Sequence, residues 1–447
     1  MQLNEQQVLA LAPDAASAAN GRKLASAANW SNLGKSARSL WGECKGSGAK
    51  PYQVRVDLAD FASKCSCPSH KFPCKHALGL LVLTANQPAL PGETGEGGEP
   101  DWVAEWLDKR SDNAARKEAR AVAKAEAPVD EAAQKKRAEK RDNRVRDGLA
   151  AFQVWLEDLV RNGMARLPAE GPRIWEQQAA RLVDAQAPGL AARVRLLADV
   201  PGGTDDWPER LLGELGRMAL ALRSHDRLED LPPPLQQTLR QYLGYALREE
   251  DVLIQGQSLR DRWQVIGQAN EEDDKVRVQR SWLLGEQSGR SALLLQFAAG
   301  AQSFAASWLP GSAFDAELVY YPGALLQRAL LKGQAAPLPM PQAFSHAVDI
   351  AGLLDESAAM LAQNPWLERH AAVLRGVVAR RGGKRNDQDW QVVDQAGLSL
   401  PLSGGEQWLW LALTGGKPCD VAVEWDGHRI RPLGAYAGGR YFTLGGA

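Results

Sequence analysis

Cysteine is scarce in this chain, with five residues in 447, and three of the five lie between positions 65 and 74. A small, odd and clustered set argues against a disulfide framework and favours reduced thiols that hold a metal ion. Long apolar runs are also absent, because the run at 77–83 is far too short to cross a bilayer. The first residues lack the basic and apolar segments of a signal peptide. These absences predict a cytoplasmic protein without membrane contact.

The chain also lacks a strong net charge and the common catalytic motifs. Its formal charge is −1, so any binding to nucleic acid requires a local basic patch. A phosphate-binding loop, a dinucleotide-binding glycine pattern and a nucleophile elbow are all missing in the required context. The histidines outside the cysteine cluster, such as His225, His346, His370 and His428, are isolated in the sequence. We therefore expect a protein without enzymatic activity, although a hydrolase site hidden in the second half remains an alternative.

The cysteine cluster carries the clearest chemistry. Cys65, Cys67, Cys74 and His76 form the spacing Cys-x-Cys-x6-Cys-x-His. Three thiolates and an imidazole suit one tetrahedral zinc ion, and four protein ligands leave no open position for a catalytic water. We predict a single structural Zn²⁺. A redox pair is the alternative, but it usually shows the spacing Cys-x-x-Cys. His70 is a possible competing ligand, and Cys44 is interpreted as a buried thiol.

Basic residues surround the cluster. Segment 35–76 contains eight basic and three acidic residues. Two interpretations stay open for the lysines nearest the ligands: they lower the thiol pKa values and offset the charge of the site, or they contact a ligand. The candidate contacts to nucleic acid or to a protein partner are Lys45, Lys50, Arg55, Lys64, Lys71 and Lys75.

These residues resemble a known family. The four ligand positions, the segment Trp41–Tyr52, the strand-like Val54–Leu58 and the segment Phe72–Leu78 are similar to the SWIM zinc finger, over roughly residues 50–85. The resemblance extends to bacterial SWIM proteins encoded near MoxR-type AAA+ ATPases and von Willebrand A proteins. It implies a module that binds DNA or proteins, and a partner from such an ATPase system.

Composition and periodicity divide the rest of the chain. Apolar residues recur every three or four positions between 148 and 250, which predicts helices. Short alternating segments separated by turn residues follow, which predicts strands. We expect a multidomain α+β protein with a small zinc-stabilised ββα-like N-terminal module, a helical middle region and a β-rich C-terminal half. The expected parts are 1–87, a linker and charged Ala-rich segment at 88–147, a helical domain at 148–250, a β-rich domain at 251–335 and an α+β domain at 336–447.

Two finer expectations concern the C-terminal part. The segment 408–413 (Trp-Leu-Trp-Leu-Ala-Leu) is predicted to be a strand, and Asp426–Gly427 is predicted to form a hairpin turn. The fifteen tryptophans of the chain are interpreted first as core residues and second as interface anchors. The function that follows is a zinc-binding scaffold or adaptor for a protein partner, and the alternative is a DNA-binding regulator.

Overall fold

A computed structural model describes most of the chain. The described residues are 3–46, 50–69, 71–94, 98–126, 131–203, 206–273, 276–299, 304, 306–382, 390–405 and 407–445. They form an N-terminal module, a helical bundle, a five-stranded barrel and a C-terminal sheet. The predicted fold class, with its helical middle region and β-rich C-terminal half, is confirmed. Within the described residues, every helix is either too short or too polar to cross a membrane.

The N-terminal module packs a helix against a sheet. Its elements are α1 (Glu5–Leu9), α2 (Ala15–Leu24), β1 (Trp30–Lys35), β2 (Ser39–Cys44), β3 (Tyr52–Asp57), β4 (Ser63–Cys65), α3 (Lys75–Asn86) and β5 (Gly92–Glu93). Side-chain oxygens of Asn4 and Asp14 accept hydrogen bonds from the first turns of α1 and α2, which fixes where these helices begin. The apolar helix α3 is buried against residues of β3 such as Val54 and Val56.

The sheet of this module is larger than the predicted ββα-like unit. Its strand order is β4-β3-β2-β1-β5, whereas the sequence analysis predicted a strand only for the segment that forms β3. Gly34 pairs with Trp41 on the neighbouring strand, and a Cβ atom at Gly34 would come within 2.3 Å of the indole ring. The glycine that looks like a break in the sequence is therefore required by packing. Gly92 and Glu93, within the predicted linker, pair with the edge of β1.

Two long helices follow the N-terminal module. They are α4 (Asp101–Glu126) and α5 (Glu131–Arg161). The first turns of α4 pack Val103 and Leu107 against Trp41 of β2. The structure thus attaches the start of the charged segment to the zinc-binding module, because the aromatic and apolar residues of α4 need a partner.

The helical bundle forms its own core. Its remaining helices are α6 (Leu167–Glu170), α7 (Arg173–Asp184), α8 (Pro188–Leu196), α9 (Trp207–Asp226) and α10 (Pro233–Leu243). The next helix, α11 (Glu249–Gln255), lies outside the bundle core, because it contacts α4 and its buried Val252 packs against Val319 and Tyr321. Phe152 of α5, Trp175 of α7 and Leu215 of α9 meet in one buried cluster. Pro188 begins α8, and Gly244 ends α10 in the left-handed region with φ of 102°. The predicted helical periodicity therefore corresponds to a buried face.

The barrel consists of five strands. They are β6 (Gln257–Asp273), β7 (Val276–Gly285), β8 (Ser291–Ala299), β9 (Ala313–Tyr320) and β10 (Ala329–Pro337). Their order is β10-β9-β6-β7-β8, and a parallel bridge between Leu293 and Arg328 closes β8 onto the start of β10. Trp263, Phe314 and Tyr320 fill the interior. This is the connectivity of a five-stranded Greek-key barrel of the OB type, in which the first strand pairs with the second and the fourth.

The C-terminal sheet covers part of the barrel. Its elements are α12 (Ile350–Gln363), β11 (His370–Arg381), β12 (Trp390–Val393), β13 (Ser399–Pro401), α13 (Gln407–Thr414), β14 (Cys419–Trp425), β15 (Ile430–Ala437) and β16 (Arg440–Thr443), with strand order β13-β12-β11-β14-β15-β16. Trp425 pairs with Ile430, so the predicted turn at Asp426–Gly427 is confirmed. Ile266 and Trp282 of the barrel pack against Val373 and Leu433 of this sheet.

The strand prediction for segment 408–413 is wrong, because this segment is part of helix α13. The indole of Trp410 is buried and donates a hydrogen bond to the Cys419 sulfur over 3.2 Å. Trp408 is 65% exposed and lies against Trp390. The alternation of tryptophan and leucine predicts a strand because tryptophan has a high strand propensity. The segment is helical instead, and Trp410 is packed in the core of the C-terminal sheet.

Candidate metal centre

The four predicted ligands converge at the junction between β4 and α3. Cys65 ends β4 and is held in register by its pairing with Val54 of β3. Cys67 lies in the following loop, Cys74 is the N-cap residue of α3, and His76 belongs to the first turn of this helix. The edge of the sheet and the start of the helix therefore position all four ligands, and Cys65 and His76, eleven positions apart in the sequence, meet in one cluster.

The ligand atoms are close enough for one ion. All four lie within 4.8 Å of one another. The Sγ atoms of Cys65 and Cys74 lie 3.8 Å and 3.9 Å from His76 Nδ1. A tetrahedral zinc site with bonds of about 2.0–2.3 Å requires ligand separations of roughly 3.5–3.8 Å, so the set fits Zn²⁺ with small adjustments. The cluster fits one structural zinc ion, as predicted.

The three thiols of the cluster have pKa values that are shifted in different directions. The hydrogen bond with Cys65 lowers the pKa of Cys74 to about 4. The same hydrogen bond and burial raise the pKa of Cys65, and burial raises the pKa of Cys67. Cys74 is therefore the thiolate that is ready to bind a cation, and zinc binding would release the remaining thiol protons. The backbone N–H of Cys67 donates to the Cys65 sulfur over 3.5 Å, which favours the charged form.

The surroundings of the site support a structural role. Cys74 and His76 are buried, and the Tyr52 ring lies 4.8 Å from the imidazole of His76. Two thiols outside the ligand set play no part in this geometry. Burial raises the pKa of Cys44 to about 11, so it remains a neutral core thiol as predicted, and Cys419 lies in the C-terminal sheet. His70 lies outside the described residues.

The basic residues around the cluster do not form one surface. Lys45, Lys50, Lys64, Lys71 and Lys75 are exposed. Lys71 binds the carboxylate of Asp14 over 2.7 Å instead of facing the thiols. Arg55 is partly buried, with its guanidinium 5.2 Å and 5.8 Å from the rings of Trp102 and Trp106. The contact of Arg55 with these two tryptophans of α4 was not predicted from the sequence, because it joins segments about fifty residues apart.

The histidines outside the cluster are separated in space as well as in sequence. His225 lies in α9, His346 Nε2 donates a hydrogen bond to the Glu286 carbonyl over 2.9 Å, and His428 lies in the hairpin turn. His370 is buried at the start of β11, and burial lowers its pKa, so its ring is neutral near pH 7. Neither ring nitrogen of His370 has a hydrogen-bond partner among the described residues.

Two segments of the chain match known protein families. Residues 52–83 match the SWIM zinc finger. Residues 140–243 match the SWIM-associated four-helix bundle domain. Together the matched segments cover less than half of the chain, and no curated protein and no solved structure is significantly similar to it. The SWIM match contains all four ligands, and the bundle match begins in α5 and ends with α10. The N-terminal module (residues 3–94) contains the SWIM match and is called the SWIM module below. It is thus a zinc-binding interaction module.

Proposed function

We propose that the chain is a non-catalytic cytoplasmic adaptor, in which the zinc ion shapes a module that binds a protein partner. The closed Cys₃His cluster carries this proposal. Four protein ligands around one ion leave no position for a reacting water, so the ion stabilises a fold instead of activating a substrate. Within the described residues, this is the only cluster of three or more potential metal ligands.

The bundle provides a second surface for a partner. Six of its large aliphatic side chains are exposed, namely Val154, Val160, Val183, Leu196, Leu212 and Leu220. We propose that part of this exposed apolar surface contacts another protein, because a contiguous apolar patch marks such a contact whereas singly exposed side chains do not. An adaptor with two such domains can hold two parts of an assembly at once, which is the arrangement expected for a scaffold.

The partner that we propose is a MoxR-type AAA+ ATPase or the von Willebrand A protein of the same system, and the support is the resemblance of the SWIM segment. The test mixes the purified, zinc-loaded full chain with both candidates from the same genome at low salt and measures co-elution in gel filtration. We expect co-elution for the unchanged chain and for Cys419→Ser, and its loss for Cys74→Ser. If neither candidate co-elutes with the unchanged chain, this partner is excluded.

A second candidate function is a DNA-binding regulator that uses the SWIM module. The observation that favours it is the exposure of Lys45 and Lys50, which have no ion pair among the described residues. Phosphate contacts by these lysines would make the affinity for duplex DNA fall with salt, by roughly one unit of logarithmic slope per contact. We expect Lys45→Gln with Lys50→Gln to reduce this slope. Absence of duplex binding at every salt concentration excludes this candidate.

A further inference from the structure

A groove runs along the outer face of β7 and β8, and we call it the barrel groove. Val278 and Phe297 lie opposite each other in the ladder of these strands, and Arg280 and Leu295 are the next pair on the same face. One part of the groove is a cavity of about 400 Å³ between this face, the β9–β10 connection and the bundle. The other part is a cavity of about 870 Å³ between the same strands and the SWIM module.

The two cavities belong to one continuous surface. Phe297 and Glu271 line both of them. The C-terminal sheet covers this face at Trp282, Leu293 and the buried Arg280, whereas Phe297 is 58% exposed. The helical bundle and the SWIM module therefore form the two sides of the groove, and strands of the barrel form its base. A chain-like ligand that follows this groove would contact three parts of the protein.

The position of the groove on the barrel is informative. In barrels with this strand order, the face of the second and third strands, together with the connection between the fourth and fifth strands, is where oligonucleotides and oligosaccharides bind. Here β7 and β8 provide that face, and residues of the β9–β10 connection, such as Pro322 and Arg328, line the groove. Because one fold serves several functions, the side chains in the groove have to decide the ligand.

Two aromatic side chains of the groove are exposed. Phe297, near the end of β8, is 58% exposed, and Phe72 of the zinc loop is 43% exposed. Phe304 and Trp106 also line the part next to the SWIM module, where the Arg277 guanidinium lies 5.3 Å from the Phe304 ring and the Arg110 guanidinium lies 5.4 Å from the Trp106 ring. An exposed phenylalanine on a strand lowers stability in water, and a stack of flat rings along a channel suits the faces of unpaired bases. Phe72 is held in the groove by the loop that carries the zinc ligands.

Two cations of the groove have no ion pair among the described residues. Lys64 lies next to the SWIM module and is exposed, and Arg328 lies next to the bundle with its guanidinium 4.1 Å from the Tyr321 ring. Other arginines that line the groove are paired with carboxylates: Arg110 with Asp57 and Asp60, Arg193 with Glu368, and Arg280 and Arg369 with Glu271 and Glu424. The two cations Lys64 and Arg328 suit a polyanion.

We propose that the barrel groove binds single-stranded nucleic acid, with Phe297 and Phe72 as stacking platforms and with Lys64 and Arg328 as phosphate contacts. This inference does not depend on the adaptor function, because it concerns another surface and another class of ligand. Duplex DNA presents stacked, inaccessible base faces, so the exposed phenylalanines select a single strand over a duplex.

The test uses the zinc-loaded full chain and measures fluorescence anisotropy with a labelled oligothymidine of about 20 nucleotides, a length beyond the ~4–16 nucleotides that one such barrel covers. Phe297→Ala should weaken binding by roughly 5- to 150-fold, which corresponds to the loss of one stacked base. Arg328→Gln should reduce the slope of log K against log salt by about 0.7. Trp408→Ala removes an equally exposed aromatic residue outside the groove and should leave the affinity within about twofold.

Three outcomes would overturn the proposal. The first is absence of oligothymidine binding at low salt. The second is binding that Phe297→Ala does not weaken, since this would place the nucleic acid elsewhere. The third is equal affinity for oligothymidine, for a duplex of the same length and for polyglutamate, which would mean attraction of any polyanion or of an acidic peptide. Co-elution with an ATPase partner affects none of these measurements, so the two proposals fail independently.

Discussion

Cys74 combines more roles than any other residue of the SWIM module. Its sulfur is a buried zinc ligand with a lowered pKa, and its backbone is the N-cap of α3. Serine is a good N-cap residue but a poor ligand for zinc, so the change Cys74→Ser separates the two roles. The adjacent helix is the most apolar surface of the module, and it is held against the sheet partly through this ligand.

We predict that Cys74→Ser abolishes the zinc content of one ion per chain, because three remaining ligands cannot close the site. The module should then lose protection of its amides against hydrogen exchange, while the bundle and barrel keep theirs. The measurements are elemental analysis and hydrogen exchange followed by mass spectrometry. Cys419→Ser, in the C-terminal sheet, is the matched control and should keep one zinc. Full zinc content in Cys74→Ser would contradict the ligand assignment.

At the scale of elements, close backbone approaches and buried side chains determine which segments become helix or strand. Gly189 at the start of α8 and Gly244 at the end of α10 approach so closely that a Cβ atom at Gly244 would lie 2.3 Å from the Gly189 nitrogen. Helix α13 shows the same dependence on packing, since one of its tryptophans is buried and the other faces solvent.

Gly244→Ala should destabilise the bundle by about 2 kcal/mol or more, because it adds a steric overlap to a residue in the left-handed region. Gly213 in α9 has open space around it and a helical backbone, so Gly213→Ala should stabilise the bundle by about 0.5–1 kcal/mol. Equilibrium urea unfolding followed by circular dichroism measures both changes. Equal effects of the two substitutions would contradict the described contact between α8 and α10.

Trp408 and Trp410 distinguish a helix from a strand in segment 408–413. In a strand these residues would share one face and have similar burial. In α13, Trp410 is 1% exposed and Trp408 is 65% exposed. We therefore expect Trp410→Ala to cost about 3–5 kcal/mol of unfolding free energy and Trp408→Ala only about 1 kcal/mol. Thermal or urea unfolding of the two variants provides the comparison, and similar losses would support the strand.

At the scale of the whole molecule, polar networks join the parts. Arg280 of the barrel binds Glu424 of the C-terminal sheet over 3.0 Å, and both side chains are buried. Trp282 donates to the same carboxylate over 2.7 Å. The N-terminal helix is also attached, because Gln7 donates to the Pro310 carbonyl and Gln6 to the Thr443 carbonyl. The SWIM module is thereby fixed beside the barrel groove.

The network around Arg280 predicts an acid-sensitive contact between barrel and sheet. Burial alone would raise the pKa of Glu424, but the charge and hydrogen bond of Arg280, the charge of Arg369 and the hydrogen bond from Trp282 together outweigh burial and hold the pKa below its ordinary value. The hydrogen bond from Arg280 lowers the pKa of Glu271 to about 2. Carboxyls with lowered pKa values stabilise the folded state above their unfolded pKa of about 4.3, and this contribution is lost as the pH falls from about 5 towards 2.

We predict that Glu424→Gln lowers the free energy of unfolding by about 3 kcal/mol at pH 7, because Arg280 keeps only the partly exposed Glu271. The same variant should show a weaker loss of stability between pH 5 and pH 2 than the unchanged chain. Glu317→Gln, which breaks a partly exposed pair with Lys332 on the barrel, is the control and should cost less than about 1 kcal/mol. Urea unfolding across a pH series measures both variants, and equal losses would refute the role of the buried network.

Some features of this protein can be predicted from its sequence, whereas others cannot. The ligand set was predicted because metal chemistry restricts both residue type and spacing, and the bundle was predicted because a buried helix face repeats along the chain. The strand β1 and the helix α13 were not predicted, since Gly34 and Trp410 are explained only by the residues that they contact. The groove could not be predicted, because Phe72, Phe297 and Arg328 are far apart in sequence and each is ordinary by itself.

The sequence by itself determined local chemistry and periodicity: a closed zinc site at Cys65, Cys67, Cys74 and His76, a helical middle region and a β-rich second half. These properties depend on neighbouring residues, so they can be recognised in one dimension. Only the tertiary structure decided the order of the barrel strands, the attachment of α4 to the SWIM module and the groove between three domains. Such features arise from contacts between distant segments, whose free energy depends on the shape and charge of surfaces that exist only after folding.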